Sequence, residues 1–420
     1  LYEREGDRLT KFVNAMTENY RKRYPNGFTV ENIKYADVPN DALMVLSYTS
    51  GTTGYSKGVM LTTNNLTGNV VFACTEINPD TNNTFFYRGS RTLSFLPLAH
   101  AFGCAFDMLA PLAAGGHITL LGRIPAAKIL MEAMSIVKPT IICCVPMILE
   151  KVYRKQVLPM LEKKPMSIAM RIPLLNTAIH SIIRKKLIDA FGGNVDIFIV
   201  GGAPINEETE NFLLKINFPI TIGYGMTECG PLIGYEDWYD FAIRSCGKPV
   251  DGMEVRIDST DPQNVAGEIQ VCGDNVMLGY YKQPDVTAAT FTDDGYMKTG
   301  DLGVMDKYGN IYIKGRSKNM ILTANGQNVY PEEIEELLNA MPHVRESIII
   351  SRKNRIIAIV ATDNDDSNPL TKSQLKTIME SNRIMLNQKL PAYAQVSDIE
   401  ILDDDFERTP KNSIKRFMYK

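Results

Sequence analysis

Hydrophobic positions along the chain fall into three textures. From about residue 42 to 225, short apolar runs alternate with amphipathic stretches. Residues 140–145, 196–200 and 220–222 read as strands, and 124–137 and 207–216 as helices. Asn206 is placed to cap the second helix, whose first turn is acidic. Strand, helix, strand at this spacing predicts an α/β layer with a largely parallel sheet. The longer apolar run TIICCVPMILE, residues 140–150, reads as a buried strand. From about 247 to 315 the pattern becomes short strands broken by glycines (VRI, GEIQVCG, GYMKTGDLG, GNIYIKG), a β-rich subdomain.

A third pattern begins after Gly315. PEEIEELLNA, residues 331–340, has proline at its start, glutamates behind it and an apolar stripe at Ile334, Leu337 and Leu338, which predicts a helix. SIIISRKNRIIAIVAT predicts two strands around a Lys-Asn turn, and residues 372–390 a closing helix. The expected organisation is a large domain over 1–317, with its β-rich part at about 247–315, and a small α+β domain over 318–420. RSKN, residues 316–319, is the expected linker.

Composition adds a few bounds. Hydrophobic residues at 45% and charged residues at 22% are ordinary for a globular chain, and a net charge of −3 gives no reason to expect nucleic acid. The seven cysteines form no CxxC pair and sit mostly in apolar runs, which suits reduced thiols in a cytoplasmic setting. No segment reaches the roughly 20 apolar residues of a membrane span. Residues 151–186 carry nine Lys or Arg against one acid, Glu162, among Val, Leu, Met and Ile. Two readings of that stretch stand: a solvated helical face, or a face that rests on an anionic membrane.

Candidate chemistry starts at LSYTSGTTGYSKGVMLT, residues 46–62. A strand runs into a loop of Gly, Thr and Ser whose backbone N–H groups and hydroxyls can face phosphate oxygens, with Lys57 adding a point charge. Ser56 before the lysine and Gly58 after it exclude the GxxxxGK[ST] phosphate loop. By itself the stretch also reads as a polar turn. GYGMTECGP, residues 223–231, places Tyr224 between two glycines, where a ring can lie against another, and Glu228 where it can face a cation. VGGAPI, residues 200–205, ends another strand in the same way, and ligands in open α/β sheets bind at the carboxyl ends of strands. YMKTGDLG holds Asp301, either a turn residue or a grip for ribose hydroxyls. IKGRSKN brings Arg316 and Lys318 to the domain junction.

Together YTSGTTGYSKGV, GYGMTECGP, YMKTGDLG, IKGRSKN and NGQNVYPEEIE, in that order, resemble the AMP-forming adenylate superfamily of acyl-CoA synthetases, adenylation domains and luciferases. The resemblance implies activation of a carboxylate by ATP with release of pyrophosphate, and transfer of the acyl group to coenzyme A. It implies that Thr49, Ser50, Gly51, Thr52, Thr53, Gly54 and Lys57 hold the β- and γ-phosphates. Gly202, Ala203 and Pro204 with Tyr224, Gly225 and Met226 would enclose adenine, Thr227 would touch the α-phosphate, and Glu228 would bind Mg2+. Asp301 and Arg316 would hold the ribose, Lys318 would be the hinge of a mobile small domain, and Gly326 would line the route of coenzyme A.

One motif departs from the family. Where TPSGKILR is usual, this chain has RTPKNSIKRF, so Ser413 occupies the position of the adenylation lysine, and Lys411 and Lys415 flank it. Lys415 is the candidate replacement. LSFLPLAHAFG, residues 93–103, resembles the long-chain fatty acyl type and has no acid to capture an ammonium group. His100 reads either as an acyl gate or as a packed histidine at a strand end. Family members carry far more chain before the phosphate loop, so the large domain is expected to lack part of its N-terminal portion and to show unpaired edges. Three functions stay open: a long-chain fatty acid–CoA ligase, an acyl-AMP ligase that loads a carrier protein, and a non-catalytic relative that binds nucleotide or fatty acid.

Overall fold

The structure is a computed structural model, and it describes residues 6–34, 38–50, 56–75, 77–78, 83–121, 127–164, 172–323, 327–353, 355–363, 370–408 and 414–419. The chain divides into two compact units, 1–42 and 43–420. The first holds helix α1 (Gly6–Arg23), an element that the apolar periodicity did not point to. The Tyr20 hydroxyl accepts from the Phe28 amide at 3.2 Å, and Tyr24 stacks edge-on with Phe28, so an aromatic trio closes the turn after α1.

The second unit opens with an antiparallel hairpin, β1 (Leu43–Ser50) and β2 (Ser56–Thr62), followed by α2 (Thr63–Thr75). The described ends of the phosphate-loop candidate are thus paired strands, with Thr49 opposite Lys57. Next come β3 (Arg91–Ser94), β4 (His117–Leu120), α3 (Ala127–Val137), β5 (Ile141–Cys144), α4 (Pro146–Val152), α5 (Pro173–Ala190), β6 (Ile197–Val200), α6 (Glu207–Lys215) and β7 (Ile220–Ile222). The strands form one parallel sheet in the order β4-β3-β5-β6-β7. Every residue of β5, β6 and β7 is buried, as a sheet covered on both faces requires. Ile141, Cys143, Ile197 and Ile199 enter one core, and Ile142, Cys144, Phe198 and Val200 the other, following the period of two.

The strand expected over 140–150 is cut short. It ends at Cys144 because Pro146 opens a helix, where a missing N–H and a fixed φ are tolerated. Asn206 caps α6 as expected, its side chain accepting from the amides of Glu208 (3.1 Å) and Thr209 (3.3 Å).

Beyond the parallel sheet lie β8 (Tyr224–Gly225), β9 (Leu232–Tyr235) and β10 (Lys248–Pro249), three short antiparallel strands. The β-rich part is a four-stranded antiparallel sheet of β11 (Met253–Asp258), β12 (Gly267–Gly273), β14 (Met297–Met305) and β15 (Ile311–Arg316). Between them β13 (Gly279–Tyr280) leaves to pair with β2, and α7 (Pro284–Thr290) follows. The C-terminal part holds α8 (Pro331–Asn339), β16 (Val344–Arg352), β17 (Arg355–Thr362), α9 (Lys372–Lys389) and β18 (Asp398–Ile401). Here β16 pairs antiparallel with β17 and β17 parallel with β18, around a core of its own that includes Leu338, Ile349, Val360 and Leu386.

Candidate active site

The carboxyl ends of β6 and β7 reach a partly open cavity. Phe72, Phe85, Phe86, Phe102, Phe106, Ile199 and Tyr235 give it apolar walls, and Gly202, Gly223, Tyr224, Gly225, Met226 and Thr227 line it where the strands end. Its apolar walls are those of a ligand site. Gly202 sits at φ +84°, left-handed backbone that suits glycine, in the turn after β6. A Cβ on Gly225 would collide with the Pro231 carbonyl, so the Tyr224–Thr227 turn closes only around glycine. Ala203 and Pro204 follow Gly202 as exposed residues, while Tyr224, Thr227 and Glu228 are buried.

That turn is buttressed from α2. Asn69 accepts from the Leu232 amide at 2.8 Å, and Asn65 donates to the carbonyls of Asp274 (2.7 Å) and Val276 (2.8 Å). The next amide, that of Met277, donates to the Glu228 carbonyl at 2.9 Å. Sequence reading passed over both asparagines; an Asn four residues after another on a helix is their one signal.

Tyr224 donates its hydroxyl to Asp301 Oδ2 at 2.8 Å, and Arg316 Nε lies 2.8 Å from Asp301 Oδ1. Asp301 and Arg316 face each other across β14 and β15, so strand register alone brings them together. Burial pushes the Asp301 carboxyl up, and the Arg316 charge and the Tyr224 hydroxyl pull it back. Burial, then the Asp301 charge, holds the Tyr224 phenol well above its usual range. Lys318 is exposed and stands beside this cluster. Desolvation, then the like charge of Arg316, brings its pKa down to about 8; Lys57 adds to the effect, and Asp301 and Glu332 oppose it.

On the hairpin, the Thr49 hydroxyl donates to the Lys57 carbonyl at 3.4 Å. Lys57 Nζ lies 4.5 Å from the ring centre of Tyr280, and the Tyr280 hydroxyl donates to Glu228 Oε1 at 3.0 Å. Tyr280 joins two predicted residues and was not itself predicted; the GYYK run at 279–282 carries no pattern that separates it from a strand end. Gly51, Thr52, Thr53, Gly54, Gly326 and Ser413 lie outside the described residues, and of Ser50 only the backbone is described.

His100 lines the cavity and is exposed. Lys415 is tied to Glu407: Arg408 bridges Ile414, the Lys415 amide donates to the Glu407 carbonyl at 2.8 Å, and its ammonium lies 3.6 Å from Glu407. Arg416 next to it pairs with the buried Glu335, whose other oxygen accepts from the Ile349 amide at 2.6 Å. Among the described residues no group of three or more His, Cys, Asp or Glu gathers as a metal centre. Glu228 is thus a single carboxylate, the donor set that suits Mg2+ shared with substrate phosphates.

A doubly covered parallel sheet with glycine turns and a cavity at its carboxyl edge is the architecture of an α/β nucleotide-binding fold. The chain belongs to the AMP-binding enzyme family, whose profile matches residues 4–281, and the AMP-binding enzyme C-terminal domain matches 318–419. It is 33% identical over 337 residues to the long-chain-fatty-acid–CoA ligase FadD15 of Mycobacterium bovis, covering 76% of this chain and 54% of that protein. It is 29% identical over 372 residues to long-chain-fatty-acid–CoA ligase 1 of Saccharomyces cerevisiae, 83% of this chain and 52% of that one. The chain thus spans about half the length of the curated relatives it matches. ATP-bound MatB from Rhodopseudomonas palustris superposes with a TM-score of 0.68 at 26% identity, covering 91% of this chain and 69% of that one.

Proposed function

We propose that this chain activates a long-chain fatty acid with ATP, forming acyl-AMP and pyrophosphate, and then transfers the acyl group to coenzyme A. The observation that carries the reading is that Tyr224, which lines the apolar cavity beside Thr227, binds Asp301 and through it Arg316, with Lys57 and Glu228 joined through Tyr280. The acid's carboxylate oxygen attacks the α-phosphorus, the bond to the bridging oxygen breaks, and pyrophosphate leaves. The coenzyme A thiolate then attacks the acyl carbon and AMP departs. Positioning and charge neutralisation supply most of the catalysis in such a transfer. Thr227 would contact the α-phosphate, Asp301 and Arg316 would hold the ribose, Lys57 would neutralise the departing pyrophosphate, and Lys415 would stand in for the usual adenylation lysine. Glu228 would hold Mg2+ together with phosphate oxygens, and the ion supplies neutralisation of phosphate charge when bound. The swing of a small domain over 318–420 about Lys318 would open the route for coenzyme A past Gly326.

Pyrophosphate release with a panel of carboxylic acids, with and without coenzyme A, tests the reading. Release confined to C12–C18 acids together with thioester formation supports it; acyl transfer only to a carrier protein would replace its second step. A relative that binds without turnover is favoured by Ser413 and by the nearness of Lys415 to Glu407, and ATP binding without release for any acid would establish it. The exposed Leu175 and Ile182 beside the exposed Lys185 and Lys186 support contact of 151–186 with a membrane surface. Failure to sediment with anionic vesicles at low salt would remove that part.

A further inference from the structure

We infer that Tyr280 is a positioning residue that keeps Lys57 and Glu228 apart and aimed, so that the cation stays available to phosphate and the carboxylate to a divalent ion. The inference rests on the proposed reading of the site. Lys57 and Glu228 carry opposite charges in one site and, left alone, would neutralise each other in a direct pair. Among the described residues Lys57 makes no ion pair; its ammonium lies over the face of the Tyr280 ring at 4.5 Å. A ring face attracts a cation without using up its N–H donors, which stay free for phosphate oxygens. The Tyr280 hydroxyl donates to Glu228 Oε1 at 3.0 Å, a neutral donor that orients the carboxylate while leaving Oε2 for a cation.

Tyr280 is fixed firmly enough to do this. It pairs with Val59 on β2, two residues along from Lys57, and its amide donates to the Thr287 hydroxyl of α7 at 2.9 Å. Its side chain is buried. The same short segment holds the Glu228 backbone, through the Met277 amide.

Tyr280→Phe keeps the ring and removes the donor, and Tyr280→Leu removes both. The readouts are ATP affinity by calorimetry with and without Mg2+, the Mg2+ midpoint of pyrophosphate release, and the melting temperature of each variant. Tyr280→Phe is expected to bind ATP without Mg2+ within about two-fold of wild type and to raise the Mg2+ midpoint roughly ten-fold, the loss of one hydrogen bond to a charged group. Tyr280→Leu is expected to weaken Mg2+-free ATP binding by a further ~5-fold. An unchanged Mg2+ dependence in folded variants, or a fall in kcat with no change in either affinity, overturns the inference while leaving the function standing. A wild-type protein that binds no ATP overturns the reading of the site, and the inference with it.

Discussion

Tyr224 and Asp301 stand 77 positions apart in the chain and share a buried hydrogen bond of 2.8 Å, with Arg316 on the other carboxylate oxygen. The ring proposed to face adenine thus also orients the carboxylate proposed to hold the ribose. Tyr224→Phe removes only the donor, and a buried bond to a charged acceptor is worth about 1.5–3 kcal/mol. ATP binding measured by calorimetry is expected to weaken roughly ten-fold or more, with the fold intact. Equal affinities would mean that Arg316 alone fixes Asp301.

Lys318 predicts a proton uptake. Its pKa of about 8 lies below the usual lysine range, so the free protein begins to lose this proton as pH rises through 8. Triphosphate charge placed nearby favours the protonated form and raises the pKa, so binding of ATP takes up protons near pH 8. Calorimetry in buffers of different ionisation enthalpy should register about half a proton at pH 8, fading below pH 7, and none in Lys318→Met. The same uptake in that variant would assign the proton elsewhere.

Most of the scaffold was legible from the chain, because its elements announce themselves locally. The runs at 140–145, 196–200 and 220–222 hold the buried strands Ile141–Cys144, Ile197–Val200 and Ile220–Ile222, and Asn206 and Pro331 mark helix starts by their own chemistry. Pro146 carried the same signal and was overridden by the apolar run around it. What periodicity cannot express is long-range register. Asp301 meets Arg316 by strand pairing, Tyr280 reaches Lys57 because β13 leaves its sheet for β2, and Arg416 meets Glu335 across 81 residues. Each needs the three-dimensional fold before it can be seen.

Arg244 gives a stability prediction. It donates to Glu210 Oε2 at 2.9 Å, to Glu336 Oε2 of α8 at 2.7 Å and to the Ile205 carbonyl at 3.0 Å. The Glu210 side chain is only 1% exposed, so Arg244→Ala strands a buried carboxylate. Removal of one partner of such a pair costs about 3–5 kcal/mol, and urea unfolding should show a loss near the lower end because Arg244 itself is part-exposed. Glu336→Gln keeps the Arg244–Glu210 pair and should cost about 1 kcal/mol. Equal losses would move the burden to Glu336.

Lys415 predicts a split between half-reactions. The pairing of Arg416 with Glu335 and the bond of the Lys415 amide to the Glu407 carbonyl hold its backbone, so Lys415→Ala should leave the tail in place. Formation of acyl-AMP is expected to fall about 100-fold, as loss of one charge stabiliser does, while thioester formation from supplied acyl-AMP stays within about two-fold. A fall in both halves, or in neither, removes Lys415 from the adenylation step.

Asp107 gives the pH dependence. It is wholly buried, and its oxygens make no hydrogen bond of good geometry, although the backbone of Phe95 and Leu96, the Ser94 hydroxyl and the Cys143 thiol stand around them. Burial raises its pKa from 3.8 to about 7. A raised carboxyl binds its proton more tightly folded than unfolded, so this stabilisation is fully present below about pH 4. It is lost as pH rises through about 7. Between pH 5 and pH 8 the loss amounts to about 2–3 kcal/mol. Asp107→Asn cannot titrate, so its unfolding free energy should change less over that interval by this amount. Urea denaturation of both proteins at pH 5 and pH 8 decides it, and parallel pH slopes would mean that Asp107 stays ionised in the fold.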